Sequence, residues 1–276
     1  MVTATQAWEL AGNTRGRFRL GLGTQVRAHV ERRYSAEFDR PGPRLREYVQ
    51  AVRACFEAFA GRGPLQFDGE FYRLSLLPEA WALPPHDFPD IKIDVSAVGP
   101  WMTRMAGEVA DGIHVHPLHS EHYLHERLRP AVAEGCARTG RTPDQVELIV
   151  PVFVIAGDSP EERASARRHA QQQIAFYGST RAYAFQFEDL GFTGLSAALN
   201  ERLKAGDLDG MRNLVTDDAL DAFAVTGRWD EIADQLTTRY AGIATRLVAY
   251  LDENTLLDNP RDLARWGEIA KALEQA

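Results

Sequence analysis

The sequence predicts an α/β protein built on parallel strands, and three observations carry that prediction. Short β-branched runs, Ile91 to Val98 and Val146 to Ala156 foremost, alternate with segments in which apolar residues recur at helical spacing. The intervals between successive strands leave room for a helix in each crossover, as right-handed β-α-β connections require. The 276 residues, 45% hydrophobic and 25% charged, are enough to bury a large core in an ordinary globular chain. Pattern alone leaves an open doubly wound sheet and a closed barrel both standing.

The elements follow in order. A helical start from Thr5 to Asn13 leads to a strand, Arg17 to Gly23, that ends in glycine. Two helices are expected between about 26 and 59, separated by the loop Arg40-Pro41-Gly42-Pro43. Asp68-Gly69, flanked by aromatic residues from Phe67 to Tyr72, reads as a small hairpin, and the Pro-rich run Leu83 to Pro89 as a loop. A strand from Ile91 to Val98, a helix from Trp101 to Ala110 and a strand from Gly112 to His116 make a β-α-β unit. Helical pattern fills Ser120 to Arg138, and Val146 to Ala156 is the most apolar strand. Ser159-Pro160-Glu161-Glu162 has the serine cap, first-turn proline and third-position glutamate of a helix start, and that helix is expected to run to about Tyr177. Residues 178 to 228 read as short helices and turns. A helix near Asp230 to Tyr240, a strand from Ala244 to Leu251 and a final helix capped at Asn259-Pro260 complete the chain. That makes five core strands, too few to close an eight-stranded barrel.

Charge and composition exclude several classes of function. A net charge of −8, with Lys and Arg scattered, lacks the clustered basic face that nucleic acid requires. No apolar run reaches the roughly 18 residues of a membrane helix, and the first residues do not resemble a secretion signal, so the expected address is the cytoplasm. Cys55 and Cys136 have neither metal nor paired-motif spacing, which suits a reducing compartment.

The series Gly16-Arg17-Phe18-Arg19-Leu20-Gly21-Leu22-Gly23-Thr24-Gln25, then Ala97-Val98-Gly99-Pro100, then Glu108-Val109-Ala110-Asp111-Gly112, resembles the luciferase-like oxidoreductases, especially their deazaflavin-dependent branch. Ile174 to Thr180 and Ala222 to Gly227 resemble further signatures of one deazaflavin-linked subgroup. The resemblance implies a (β/α)8 TIM barrel of the luciferase-like type, a single domain over residues 1–276 with a helical insertion at about 178–228. It implies that this barrel is incomplete. In that family the glycine-rich strand is the fourth and the Glu108–Gly112 motif leads into the sixth, so the first three strands are absent here, through a late start codon or in a shortened paralogue. In relatives that part supplies a non-proline cis peptide against the cofactor ring and some of the polar groups around the substrate. The implied cofactor is the deazaflavin coenzyme F-420, with FMN as the alternative. The implied partner is a small organic substrate, and relatives commonly form homodimers.

Cofactor chemistry of this kind asks the protein to position a ring, hold a phosphate and exclude water, at the C-terminal ends of the strands. After the first strand stand Gly23, Thr24 and Gln25, with His29 one turn on. By resemblance they touch the cofactor ring, and the plainer alternative is a packing glycine with a surface histidine. Val98, Gly99, Pro100 and Trp101 open a helix whose free N–H groups suit a phosphate, although proline at that position is also an ordinary cap. Tyr177 and Ser179 follow the Val146 strand's helix, where the family places segments that cover the site, and are expected to bind substrate or to pack. Among the histidines His114, His116, His119, His122 and His125, the His-x-His pair resembles that of metal-dependent barrel hydrolases. Later ligands are missing apart from His169, so no metal is expected. His119, His122 and His125 read as one solvated helix face, and His116, at a strand end, as a pocket residue with a catalytic role. Trp8, Trp81, Trp229 and Trp266 are expected to pack. Besides the oxidoreductase, two readings remain open: a non-catalytic subunit that binds a partner through exposed sheet edges, and the metal hydrolase.

Overall fold

The computed structural model describes residues 1–251 and 260–275. The expected cap at Asn259 lies outside the described residues. The chain resolves into two compact units, Met1–His114 with Leu128–Glu147, and Val115–Arg127 with the chain from Leu148 onward.

The first unit contains α1 (Val2–Asn13), β1 (Arg19–Leu22), α2 (Arg27–Arg33), α3 (Pro41–Phe59), the hairpin strands β2 (Phe67–Asp68) and β3 (Arg73–Leu74), β4 (Lys92–Ser96), α4 (Pro100–Val109), β5 (Gly112–His114) and α5 (Arg129–Arg138). β4 pairs in parallel with β1, Gly21 opposite Asp94 and Leu22 opposite Val95, and with β5, Asp94 opposite Gly112 and Ser96 opposite His114. Side chains alternate across a strand, so this register sorts the residues onto two faces. One carries Leu20, Leu22, Ile93, Val95 and Ile113. The other carries Arg19, Gly21, Lys92, Asp94, Ser96, Gly112 and His114.

Helices build the rest of the first unit's core. Val49, Val52, Cys55 and Phe56 of α3, Met105 and Ala106 of α4, and Val132 and Cys136 of α5 are all buried. Burial raises the pKa of both thiols, which keeps them in the neutral, unreactive form. Trp8 of α1 packs edge-on against Phe59 at 5.6 Å, stacks with His86 at 4.2 Å, and donates Nε1–H to the Pro84 carbonyl at 3.0 Å. The Pro-rich loop is thereby folded back over α1. The Glu47 carboxylate accepts the backbone N–H groups of Glu70, Phe71 and Tyr72 at 3.0, 2.6 and 2.7 Å, which ties the expected hairpin to α3.

The second unit is built on β6 (Glu147–Ala156), whose first residue belongs to the first unit. It continues with α6 (Pro160–Gly178), α7 (Phe185–Glu188), α8 (Leu195–Lys204), α9 (Leu208–Asn213), α10 (Asp217–Phe223), β7 (Ala224–Gly227), α11 (Ile232–Tyr240), β8 (Arg246–Ala249) and α12 (Pro260–Leu273). β6 pairs in parallel with both β7 and β8. α6 starts as its sequence requires, with Ser159 Oγ accepting from Glu162 N–H at 3.3 Å. Phe153, Ile155, Ile174, Phe187, Leu199, Met211, Leu220 and Phe223 make one buried cluster.

Three expectations change. Six parallel strands stand among the described residues where five were expected, because β7 lies within the stretch read as helices and turns. Its four residues follow directly on α10, too few to show an alternating pattern. The single helix expected from Ser120 to Arg138 is a π-type turn, Tyr123–Leu128, followed by α5. Pro130 has no N–H to return to the preceding turn, and the chain ahead of it is wound wider. Trp81 is 78% exposed rather than packed, whereas Trp229 and Trp266 meet edge-on at 5.5 Å.

The contact of α4 with α5 leaves no room for side chains at Gly135, where a Cβ would overlap the Arg104 carbonyl. We expect Gly135→Ala to push the helices apart and lower the unfolding free energy by about 3 kcal/mol, the upper range for overpacking a core. Urea denaturation checks this, and an unchanged midpoint would show that α4 and α5 can separate without loss.

Candidate functional site

The polar face of the first unit ends in a shallow floor. Gly21 and Gly23 of β1 and its following loop are exposed, and a Cβ at Gly21 or at Gly99 would meet nothing within 4 Å. A Cβ at Gly23 would lie 3.5 Å from Ser96 Oγ, so the end of β1 and the end of β4 border the same open space. Gly23 and Thr24 also line a cleft of about 220 Å³ with Arg44, Tyr48 and Tyr72. That is below the ~300–1,000 Å³ of whole-ligand sites, and would take one arm or edge of a larger molecule.

The other expected residues of this unit are placed as follows. Gln25 has a left-handed backbone (φ 57°), uncommon for a residue with a side chain, and its Oε1 accepts Val26 N–H at 3.0 Å. His29 lies exposed on α2, a helix with no buried residue. Gly99 is the N-cap of α4, with Pro100 in the first turn, and the helix N–H groups at Trp101 and Met102 precede the first helical bond, Thr103 N–H to the Gly99 carbonyl. The Trp101 ring leans on α3, where a Cβ at Gly42 would overlap it. Trp101 can therefore offer a ligand its backbone N–H while its ring is engaged in packing.

One layer below the floor lies an ionic network. Arg19 donates to both Asp94 oxygens, Nε to Oδ2 at 2.9 Å and Nη2 to Oδ1 at 2.6 Å, and through Nη1 to Glu147 at 2.9 Å. His114 Nε2 is 3.6 Å from Asp94 Oδ2. Asp94 is 2% exposed. Burial by itself would raise its pKa, but the Arg19 bonds, with His114 behind them, outweigh burial and hold the carboxyl at about 2. Gly112 makes the network possible, since a Cβ there would overlap Asp94 Oδ1 and come within 2.9 Å of the Arg19 guanidinium.

The second unit has its own cluster. The His116 ring lies against Tyr183 at 4.5 Å and edge-on to Tyr177 at 4.8 Å. Its Nδ1 accepts Leu118 N–H at 3.1 Å, which leaves the ring proton on Nε2. Burial pushes the His116 pKa down to about 4, so the ring is a neutral donor at ordinary pH. The Tyr177 and Tyr250 hydroxyls share a hydrogen bond of 2.7 Å, and burial raises the Tyr177 pKa. Ser179 is buried, and its Oγ donates to the Phe176 carbonyl at 2.7 Å, closing the end of α6.

The profile of the luciferase-like monooxygenase family matches residues 1–246. The chain belongs to the luciferase-like monooxygenase family. Rv1360 of Mycobacterium tuberculosis is 40% identical over 248 residues, covering 90% of this chain and 73% of that one. The 5,10-methylenetetrahydromethanopterin reductase of Archaeoglobus fulgidus is 25% identical over 238 residues, covering 85% and 67%. Among solved structures, the coenzyme F420-dependent tetrahydromethanopterin reductase of Methanopyrus kandleri superposes with a TM-score of 0.71 at 19% identity, covering 90% of this chain and 72% of that one. The likeness in fold accords with the parallel strands and helical crossovers of this luciferase-like chain.

The histidine series separates in this family member. His119 was expected on a solvated face but is 1% exposed: its Nδ1 bonds the His116 carbonyl at 2.9 Å, and its Nε2 faces the Tyr240 hydroxyl at 3.4 Å. It sits in the turn ahead of the π-type segment, so helical spacing does not apply to it. His122 and His125 are exposed. Among the described residues no three His, Cys, Asp or Glu side chains gather as a metal site would require, and no helix is long and apolar enough to cross a membrane. Sequence reasoning missed Asp94, Tyr183 and Tyr250, and weighed His114 only as a metal ligand. The available signal was an aspartate inside the apolar strand Ile91-Lys92-Ile93-Asp94-Val95, where an unpaired charge is costly.

Two acid transitions follow. The Asp94 pKa is lower folded than unfolded, so its contribution is complete above about pH 4 and is lost as pH falls toward 2; the fall from 3.8 to about 2 corresponds to about 2.5 kcal/mol. The His116 and His119 pKa values are also lowered by burial, so their contribution is present above the ordinary histidine value of 6.5 and is lost as pH falls toward 4. Unfolding free energies measured at steps from pH 2 to 8 should show both windows. Asp94→Asn should flatten only the lower one, and proton NMR should find both rings neutral at pH 6.

Proposed function

We propose that this luciferase-like protein is an oxidoreductase that transfers hydride between the reduced deazaflavin coenzyme F420 and a small organic substrate, its parallel strands being strands of a (β/α)8 barrel. The observation that carries the reading is the glycine floor at the ends of β1 and β4. Gly21 and Gly23 leave open the space that side chains would fill, bordered by the hydroxyl of Ser96, and a flat ring can approach a backbone only where such side chains are missing. The family membership and the coenzyme named for the Methanopyrus kandleri reductase support the deazaflavin. When bound, a deazaflavin supplies hydride and reacts poorly with oxygen, so reductase or dehydrogenase chemistry follows from it.

The chain's own residues then have limited tasks. Gly23 and Thr24 bring backbone to the ring, the free amide of Gln25 donates to a ring heteroatom, and His29 adds an edge contact from solvent. The start of α4, at Gly99, Pro100 and Trp101 with Val98 just before it, offers the Trp101 and Met102 N–H groups, which precede the first helical bond, and the positive end of its dipole to the coenzyme phosphate. Within the second unit by itself, His116 with its fixed Nε2–H and Tyr177 with its hydroxyl are the groups suited to bind an oxygen. Ser179 keeps only acceptor capacity, because its proton is used within α6. FMN is the second reading, favoured by the monooxygenase chemistry in the family's name.

Fluorescence titration of the 276-residue chain with F420 and with FMN tests this. We expect saturable binding of F420 and weaker binding of FMN. Gly23→Val, whose side chain would enter the floor, should weaken F420 at least about tenfold, or ~1.4 kcal/mol, with no loss of thermal stability. Tighter binding of FMN would move the protein to flavin chemistry. Binding of neither would leave a non-catalytic subunit as the better account.

A further inference from the structure

His114 closes β5 on the same face as the glycine floor, beside Ser96 in register, and is 50% exposed at its side chain. Its neighbour is unusual. Asp94 is buried, ionised and gripped by both ends of the Arg19 fork, so the carboxylate cannot swing out to solvent and its Oδ2 stays 3.6 Å from the imidazole. A ring so placed turns its Nε2–H toward Asp94 and its Nδ1 away from it. Asp94 of β4 is the charged group against His114, and Arg19 of β1 binds both Asp94 and Glu147 at the start of β6. A purely structural Arg–Asp pair has no use for a half-exposed imidazole at the open end of the strands.

We propose that His114 is the acid–base residue of the hydride transfer, held in place by Asp94 and Arg19, and that the substrate therefore carries a carbonyl or alcohol at its reacting carbon. This rests on the deazaflavin oxidoreductase reading above. In the reductive direction, a bound reduced deazaflavin would supply hydride to the carbonyl carbon and be left oxidised by two electrons. As the C=O π pair moves to oxygen, that oxygen would take the Nδ1 proton of the doubly protonated His114 ring, whose Nε2–H stays toward Asp94. Solvent would return the proton to Nδ1. Asp94 is a positioning residue, standing 3.6 Å from the imidazole, and Arg19 acts through Asp94.

The test combines chemical modification with kinetics on the intact chain. Diethyl pyrocarbonate, mapped by peptide mass spectrometry, should label His114 in the free protein and label it severalfold more slowly with saturating F420, while exposed His125 reacts at one rate throughout. With reduced F420 and a panel of propanal, acetone and cyclohexanone, His114→Gln should lower kcat by about 100-fold, the lower range for losing a general acid. It should also remove the pH dependence of kcat and leave the F420 Kd unchanged. Asp94→Asn should lower kcat by a smaller factor at unchanged Kd, with partial recovery in Asp94→Glu. Should Asp94→Asn fail to fold, the surface variant His114→Gln still decides. Bound F420 without protection of His114, or full activity in His114→Gln, overturns the proposal and leaves the oxidoreductase reading standing. No turnover of any carbonyl on the panel by the wild type overturns the substrate class. No F420 binding removes the oxidoreductase reading and the proposal together.

Discussion

The bond between Arg19 and Asp94 is the constraint on which the first unit's arrangement depends. A carboxylate at 2% exposure in the central strand of three would cost several kcal/mol if left unpaired. The guanidinium that neutralises it reaches over from β1, from a residue two positions before the one that faces Asp94 in register. The pair thus ties two strands at a single register, because a slip of one residue would turn Arg19 to the apolar face. β5 enters on the same terms. Its position opposite Asp94 has to be glycine, and Gly112 fills it.

From that constraint the two faces acquire different uses. The apolar residues Ile93, Val95 and Ile113 of β4 and β5 are buried in ordinary core packing. The opposite face keeps charge at depth and hydroxyl, imidazole and bare glycine backbone toward the strand ends. Folding alone would favour apolar residues of matching volume there, since buried ion pairs contribute little net stability. A polar face that is costly to build, on strands ending in open glycine loops, is not accounted for by stability alone.

The alternation of strands and helices was legible because it rests on local pattern: β4 and β6 in their β-branched runs, α6 in its serine cap, proline and glutamate. β7 was not legible, being four residues long and joined to a helix without a turn. The same division holds for the site. Gly23, Gly99 and His116 stand at strand or helix ends that the sequence marks, and could be proposed from it. Asp94 and Glu147 lie 75 and 128 residues from Arg19 along the chain, and only the folded structure brings the three together. His119 shows the opposite failure, where helical spacing was read through a turn that is not helical, and a buried ring passed for a surface one.

His114 and His116 stand one residue apart in sequence and are put to different uses by their surroundings. Around His116, two tyrosine rings remove water and a backbone N–H fixes the tautomer, so the imidazole is held neutral with a single donor on Nε2. Such a group can orient an oxygen but is poor at exchanging protons near neutral pH. Around His114, solvent has access to half the side chain and a carboxylate fixed by Arg19 stands behind the ring. Strand alternation cannot make this distinction, because both residues point the same way in an ideal strand. It is made by what each unit packs around them: tyrosines in one, and in the other a buried charge that glycine leaves room to exist.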